Sequence, residues 1–257
     1  MDMKTYTSKG TICIEGPFNI IYRVCNIFYY LNSDDTFKYV FKPIYPVIEL
    51  TNSSFFQGIP GINLDLKKEE YIRENKTPTF ISERVPNKNR EDYYELLKEA
   101  NMEYMDPIEY LIRTKKQYSG DKLFILPYED KKSVILNYNT CSTNDALIKK
   151  TLDCLCFGND VVIDNQTIDD SNRKTFHDIF LALYSRSYKV KKEKQIEGIQ
   201  KAKENGRYKG RKPIYVDRLI FLDYLDRVEN KQMTAKEAAK RLGISIDKYY
   251  RLKKLQK

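Results

Sequence analysis

Residues 233–255, MTAKEAAKRLGISIDKYYRLKKL, leave the chain little choice of local structure. Thr234 and Glu237 have the three-residue spacing of a capping box, in which each side chain satisfies the other's backbone N–H, so a helix is predicted to start at Ala235. Ala238 and Ala239 are small enough to let two helices cross closely. Gly243 suits the positive φ that reverses a chain after a helix, Ile244 is placed to plug a core, and Ser245 is a second N-cap. On the helix that Ser245 starts, Tyr249 and Leu252 share the inward face. Two short helices joined by a glycine turn at these offsets predict a helix-turn-helix. Residues 217–229 supply a third, amphipathic helix, with Leu219, Ile220, Leu222, Tyr224, Leu225 and Val228 available for the small core.

Such a motif lays its second helix in the major groove of duplex DNA, with the N-terminal residues of that helix meeting base edges. By position these are Ser245, Asp247, Lys248 and Arg251. A lysine or arginine there suits guanine, while Asp247 either accepts from cytosine or caps the helix. Tyr250, Lys253 and Lys254 are placed for phosphates, which set affinity rather than sequence. Just upstream stands GRYKGRKP (residues 206–213), a glycine-punctuated basic arm carrying Arg207, Lys209, Arg211 and Lys212. Glycines let such an arm lie in the narrow A·T minor groove, whose negative potential attracts arginine.

Charge agrees with this division. Residues 189–257 hold 21 Lys and Arg against 9 Asp and Glu, whereas the rest holds 24 against 27. A strongly basic tail on a slightly acidic body is an electrostatic footprint of nucleic-acid binding. A hydrophobic fraction of 41% excludes wholesale disorder, and no run approaches the ~18 apolar residues of a membrane span. With no signal-peptide pattern either, a soluble cytoplasmic protein that meets no membrane is expected. Five cysteines at irregular spacing and a single histidine, His177, give no zinc-ligand pattern, so no metal and no cofactor are expected.

Upstream, residues 1–60 read as short strands (TICIEG, IIYRVCNIFYYL, FKYVF and YPVIEL), rich in β-branched and aromatic residues. Helices are predicted over 90–101, with Tyr93, Tyr94, Leu96 and Leu97 inward, and from Pro107 to about residue 116, capped by Asp106. The composition changes near Gly120. DKLFIL, SVILNY and DVVID read as strands, and a helix over 144–156 buries Leu147, Ile148, Leu152 and Leu155, so SVILN and DVVID form a parallel β-α-β pair. From Arg173 the pattern is helical to Asn205, with Phe176, Ile179, Phe180, Leu183 and Tyr184 on one stripe. The fold class is therefore α/β, with a small α+β, β-rich N-terminal region. Four segments result: 1–119, of unknown type; 120–205, an α/β region with a long helix; 206–213, the arm; and 214–257, a three-helix domain.

The sequence IEGIQKAKENGRYKGRKP (residues 196–213) resembles the end of the long helix and the minor-groove arm of the serine recombinases, the resolvase/invertase family. The helix-turn-helix that follows has the matching size and position. Residues 161–185 are similar to the segment where the family's last catalytic-domain strand leads into its long helix, and residues 133–153 are placed like the strand carrying its R-L-x-R-S motif. The resemblance implies a partial resolvase-like α/β region and a homodimer through the helix 173–205. The family's catalytic arginines neutralise the scissile phosphate. Here Thr140, Ser142 and Thr143 stand in that strand's place, no arginine lies between Lys132 and Arg173, and the expected Glu-Arg pair of the long helix is Ser187-Tyr188. MKTYTSKG contains Ser8 but not the family's Y-x-R-V-S pattern. No catalytic residue is therefore assigned.

Three functions follow from these residues. The first is a catalytically inactive, sequence-specific binder of double-stranded DNA, acting as a regulator or architectural factor. The second is an active site-specific recombinase with displaced groups, using Ser8, Ser53, Ser54 or Ser142 with Arg23, Arg84, Arg90 or Arg113. The third is a separate sensing or enzymatic activity in the N-terminal region, where no paired acid, phosphate loop or Cys/His array stands out. Tyrosine-rich stretches such as IFYYL are read as packing rather than as stacking platforms.

Overall fold

A computed structural model describes residues 6–137, 141–206 and 215–254. The chain is mixed α/β, and it divides into two compact units, residues 1–191 and 192–257.

The first unit is built on an antiparallel sheet. Strand β1 (Tyr6–Glu15) pairs with β2 (Ile21–Leu31), β2 with β3 (Phe37–Pro43), and β3 with β4 (Tyr71–Glu74). Strand β5 (Phe124–Pro127) lies on the other side of β1, giving the order β4-β3-β2-β1-β5. The period-two pattern is clearest on β3, where Tyr39 and Phe41 enter the core while Lys38 and Lys42 stay exposed. A register shift between Ile12 and Cys13 lets Ile12 and Cys25 face the core while the next pair, Cys13 and Arg23, faces the other way. The compositional change near Gly120 marks no break in the fold, because β5 hydrogen-bonds to β1 and completes the sheet of the preceding residues.

YPVIEL is not a strand. Helix α1 (Tyr45–Ile48) occupies it, because Pro46 cannot donate to a sheet ladder but fits a first helical turn. Val47 and Leu50, three residues apart, then both reach the core. Helices α2 (Thr79–Ser82), α3 (Tyr93–Glu99) and α4 (Pro107–Thr114) follow. On α3, Tyr93 and Leu97 are buried, but Tyr94, expected inward, is 79% exposed. Asp106 caps α4 as predicted, its Oδ1 accepting from the Glu109 N–H at 2.8 Å. Ile108 and Leu111 of α4 are buried, and a Cβ added at Gly10 would lie 3.1 Å from Ile108 and 2.6 Å from Ile125. That close approach is why glycine stands in mid-strand there.

Helix α5 (Asn144–Cys156) connects β6 (Ser133–Leu136) to β7 (Asp160–Ile163), which pair in parallel, as the β-α-β reading required. A third strand, β8 (Gln166–Ile168), turns back on β7 through Asp164 and Asn165, both at positive φ. Helix α6 (Arg173–Glu204) runs 32 residues. Phe176, Phe180 and Tyr184 pack into the cores of the first unit, whereas Ile179 and Leu183 are 49% and 48% exposed. Among the described residues, no helix is long and apolar enough to cross a membrane.

In the second unit, α7 (Arg218–Glu229), α8 (Ala235–Arg241) and α9 (Ile246–Lys254) enclose Phe221, Ala238, Ala239, Ile244 and Tyr249. The inward residue at the start of α7 is Phe221. Leu219, Ile220 and Leu222, expected in this core, are 77%, 53% and 36% exposed. At 3.6 residues per turn only one of four consecutive apolar residues can centre on a narrow core, and the Phe221 ring meets Tyr249 at a tilt, 5.5 Å away. Tyr224, Leu225 and Val228 pack around it.

Candidate nucleic-acid interface

The three C-terminal helices are each capped at their start by a side chain, Thr234 and Ser245 as the sequence predicted and Asp217 in addition. Asp217 Oδ1 accepts from the N–H groups of Leu219 and Ile220 at 2.8 and 3.2 Å. Thr234 Oγ1 accepts from Glu237 N at 3.2 Å, and Ser245 Oγ from Lys248 N at 3.3 Å. The capping box is half formed, because Glu237 Oε1 instead accepts from Arg241 Nη2 at 2.8 Å. Between α8 and α9, Gly243 adopts φ 65, the left-handed turn that Ile244 needs to drop into the core. Tyr249 is fully buried, and burial raises the pKa of its phenol.

This packing sorts the residues of α9. Ser245, Asp247 and Arg251 are exposed and Lys248 is half-buried, so the four residues expected at base edges share the region left open by the Tyr249 and Leu252 contacts. Tyr250 is 52% exposed and meets Tyr249 edge-on at 5.7 Å. Lys254 is exposed. Lys253 differs from the expected phosphate contact: its Nζ pairs with Glu229 Oε1 at 3.0 Å and ties α9 to the end of α7. Among the described residues, Arg251, Lys254, Lys236 and Lys240 carry no carboxylate partner. The arm residues Arg207, Lys209, Arg211 and Lys212 lie outside the described residues.

The groups considered for strand cleavage are dispersed. Ser8 Oγ donates to Asp106 Oδ1 at 3.0 Å, Ser54 bonds to Asn52, and Ser53 and Ser142 are exposed. Thr140 lies outside the described residues. Each of the four arginines holds a carboxylate. Arg23 pairs with Glu129 at 3.2 Å and keeps that carboxyl below its ordinary pKa. Arg84 pairs with Asp121 and Glu83, Arg90 with Asp92 at 2.7 Å, and Arg113 with Glu109 at 2.6 Å. Among the described residues, no hydrogen bond joins an arginine to any of the four serines.

Two buried polar centres escaped sequence reasoning. Arg173, the first residue of α6, is 1% exposed and donates to the carbonyls of Leu155, Gly158 and Asn159 and to the carboxylates of Asp160 and Asp170. It therefore locks the C-terminal end of α5, β7 and the start of α6 together. His177, one turn later, lies 3.1 Å from Tyr22 Oη through Nε2 and 3.0 Å from Asp178 Oδ1 through Nδ1. Burial lowers its pKa against the opposing pull of Asp178; in a neutral ring that donates from Nδ1 to Asp178, Nε2 is left to accept from the Tyr22 hydroxyl. The only local signal for either residue was its place, one turn apart, on the inward face of the long helix. Among the described residues, no group of three or more His, Cys, Asp or Glu is arranged to hold a metal.

Comparison with known proteins finds no matching family model, no matching curated protein and no matching solved structure.

Proposed function

We propose that this chain is a sequence-specific binder of double-stranded DNA, related to the serine recombinases but catalytically inactive, and that it acts as a regulator or architectural factor. Helices α8 and α9 form the helix-turn-helix in this reading, with α7 as its third helix. One observation carries it. Capped helices meeting at the left-handed Gly243 bury Tyr249 and leave Ser245, just before α9, with Asp247, Lys248 and Arg251 of α9 away from the core. The basic arm immediately upstream adds minor-groove contacts by Arg207, Lys209, Arg211 and Lys212.

The inactive reading is favoured over an active recombinase by the state of the arginines. A phosphoryl-transfer site needs cations aimed at the phosphate, and Arg23, Arg84, Arg90 and Arg113 are each committed to a carboxylate. Homodimerisation through α6 is part of the proposal. Ile179, Leu183 and Val190, at helical spacings of four and seven, form an exposed apolar row beside the packed face, which a second copy would cover.

A mobility-shift titration of the full chain against a library of duplexes, repeated across a salt series, tests the proposal. Selection of one sequence, with log K falling against log salt at a slope of several units, is the expected result. A cognate duplex that becomes nicked and covalently joined to a serine would restore the recombinase reading.

A further inference from the structure

We infer that the outer face of the five-stranded sheet binds single-stranded DNA, stacking bases on Phe28, Tyr30 and Tyr128 and pairing phosphates with Lys9 and Lys38. The choice of DNA over RNA rests on the duplex-DNA reading of the C-terminal helices; the stacking site itself does not.

The face is set by register. One side of the sheet enters the core through Ile12, Ile27, Tyr29 and Phe41, so the opposite side presents Lys9 on β1, Phe28 and Tyr30 on β2, and Lys38 and Lys42 on β3. Tyr128, just past β5, joins them. The Phe28 ring lies 5.5 Å from Tyr128 and 6.5 Å from Tyr30, forming a row of half-buried rings across the sheet. An ammonium flanks each ring: Lys9 over Tyr128 at 4.5 Å, Lys38 over Tyr30 at 5.0 Å, and Lys42 near Phe28 at 5.9 Å. Among the described residues neither Lys9 nor Lys38 has a carboxylate partner, so the rings are what hold them.

Two concavities continue the row. An open groove of about 620 Å³ borders Tyr30 and Lys38, and another of about 300 Å³ borders Tyr128, Lys42 and Arg23. Arg23 has a side chain only 5% exposed, and its Nε is buried with no hydrogen-bond partner. Some acids of the region are already engaged: Glu70 by Lys42 at 3.5 Å, Glu129 by Arg23, and Asp130 by the Tyr128 hydroxyl at 2.8 Å. Glu74, opposite Lys38 in the register, sits at the rim of the larger groove.

Aromatic rings interleaved with unpaired cations suit a single strand, because every base has a face to stack and every step has a phosphate. A base on a ring gains more than an exposed ammonium does, so stacking would displace Lys9 and Lys38 toward the adjoining phosphates. A duplex keeps its bases stacked inside and cannot use the rings.

Fluorescence anisotropy of the full chain with labelled oligothymidylate tests the inference. The parallel arms are oligouridylate and a random duplex. Tyr30→Ala with Tyr128→Ala is expected to weaken oligothymidylate binding by about tenfold or more, while the double phenylalanine variant retains it. Lys9→Gln with Lys38→Gln, two exposed positions that leave the core intact, should lower the salt slope by about 1.4. Both sets should leave duplex binding unchanged, and Arg251→Ala with Lys254→Ala should do the reverse. Oligothymidylate binding that ignores the sheet variants but follows the C-terminal ones overturns the inference, whatever the duplex result. Tenfold tighter binding to oligouridylate overturns the assignment to DNA. Absent duplex binding with a ring-dependent oligothymidylate complex overturns the proposed function and leaves the stacking site standing.

Discussion

The two units use their positive charge in opposite ways. In the first, two arginines are internal struts: Arg173 and Arg84 are almost fully buried, and each is fastened to carboxylates and backbone carbonyls. In the second, the small core is wholly apolar apart from the Tyr249 hydroxyl, and its cations sit outside it, Arg251 and Lys254 among them without an acid. A guanidinium already clamped by carboxylates is unavailable to a phosphate, because its charge and donors are in use. The same residue type is therefore an internal tie at Arg84 and Arg173 and an exposed cation without an acid at Arg251, and counting charges along a sequence cannot tell these apart.

The comparison breaks most sharply at Arg173. Replacing it with methionine keeps much of the volume but takes the guanidinium from the carbonyls of Gly158 and Asn159 and leaves Asp160 and Asp170 to Lys131 alone. A loss of about 3–5 kcal/mol in the stability of the first unit is expected by urea unfolding. A loss below about 1 kcal/mol would mean that Arg173 is no strut. Phe221→Ala is the counterpart in the other unit, costing about 3–5 kcal/mol there by removing the buried ring that packs against Tyr249. Hydrogen exchange should show faster exchange across α7–α9 and unchanged protection in β1–β3. Uniform loosening of both would deny that the units are separate.

Smaller effects sharpen the contrast. Gly243→Ala meets no atom within 4 Å, so its cost of about 1–2 kcal/mol comes from the left-handed φ alone. An unchanged melting temperature would contradict the turn.

The smallest effect expected is that of His177. Its folded pKa is depressed, so above about pH 6.5 both folded and unfolded states are neutral and the group adds no pH dependence. As pH falls below that, the unfolded chain takes up the proton first and stability drops. The difference in unfolding free energy between wild type and His177→Gln should therefore be flat above pH 7 and shift against the wild type below 6.5. A shift in its favour would require a protonated, Asp178-paired ring.

Local rules made much of this architecture legible. The caps at Asp106, Thr234 and Ser245, and the helix at 144–156 between two parallel strands, follow from short-range chemistry and periodicity, and all are present. What escaped needed long-range information. YPVIEL has β-rich composition, yet Pro46 and the three-residue spacing of Val47 and Leu50 turned it into helix. In α7 the sequence offered more apolar residues than the core could take, so only packing could choose Phe221. Lys253 gave no sign that Glu229 would claim it. The aromatic row on the sheet was invisible for the same reason: Lys9, Phe28 and Tyr128 are far apart in sequence and meet only through strand register.

The central claim is that α9 and its cap read duplex DNA through Ser245, Asp247, Lys248 and Arg251. Its most direct test is the affinity of the full chain for its selected duplex, before and after Lys248→Ala with Arg251→Ala. The account predicts a fall of about 2–6 kcal/mol in binding free energy, with relaxed sequence preference and an unchanged melting temperature. Unaltered affinity and preference in a folded double variant would contradict it.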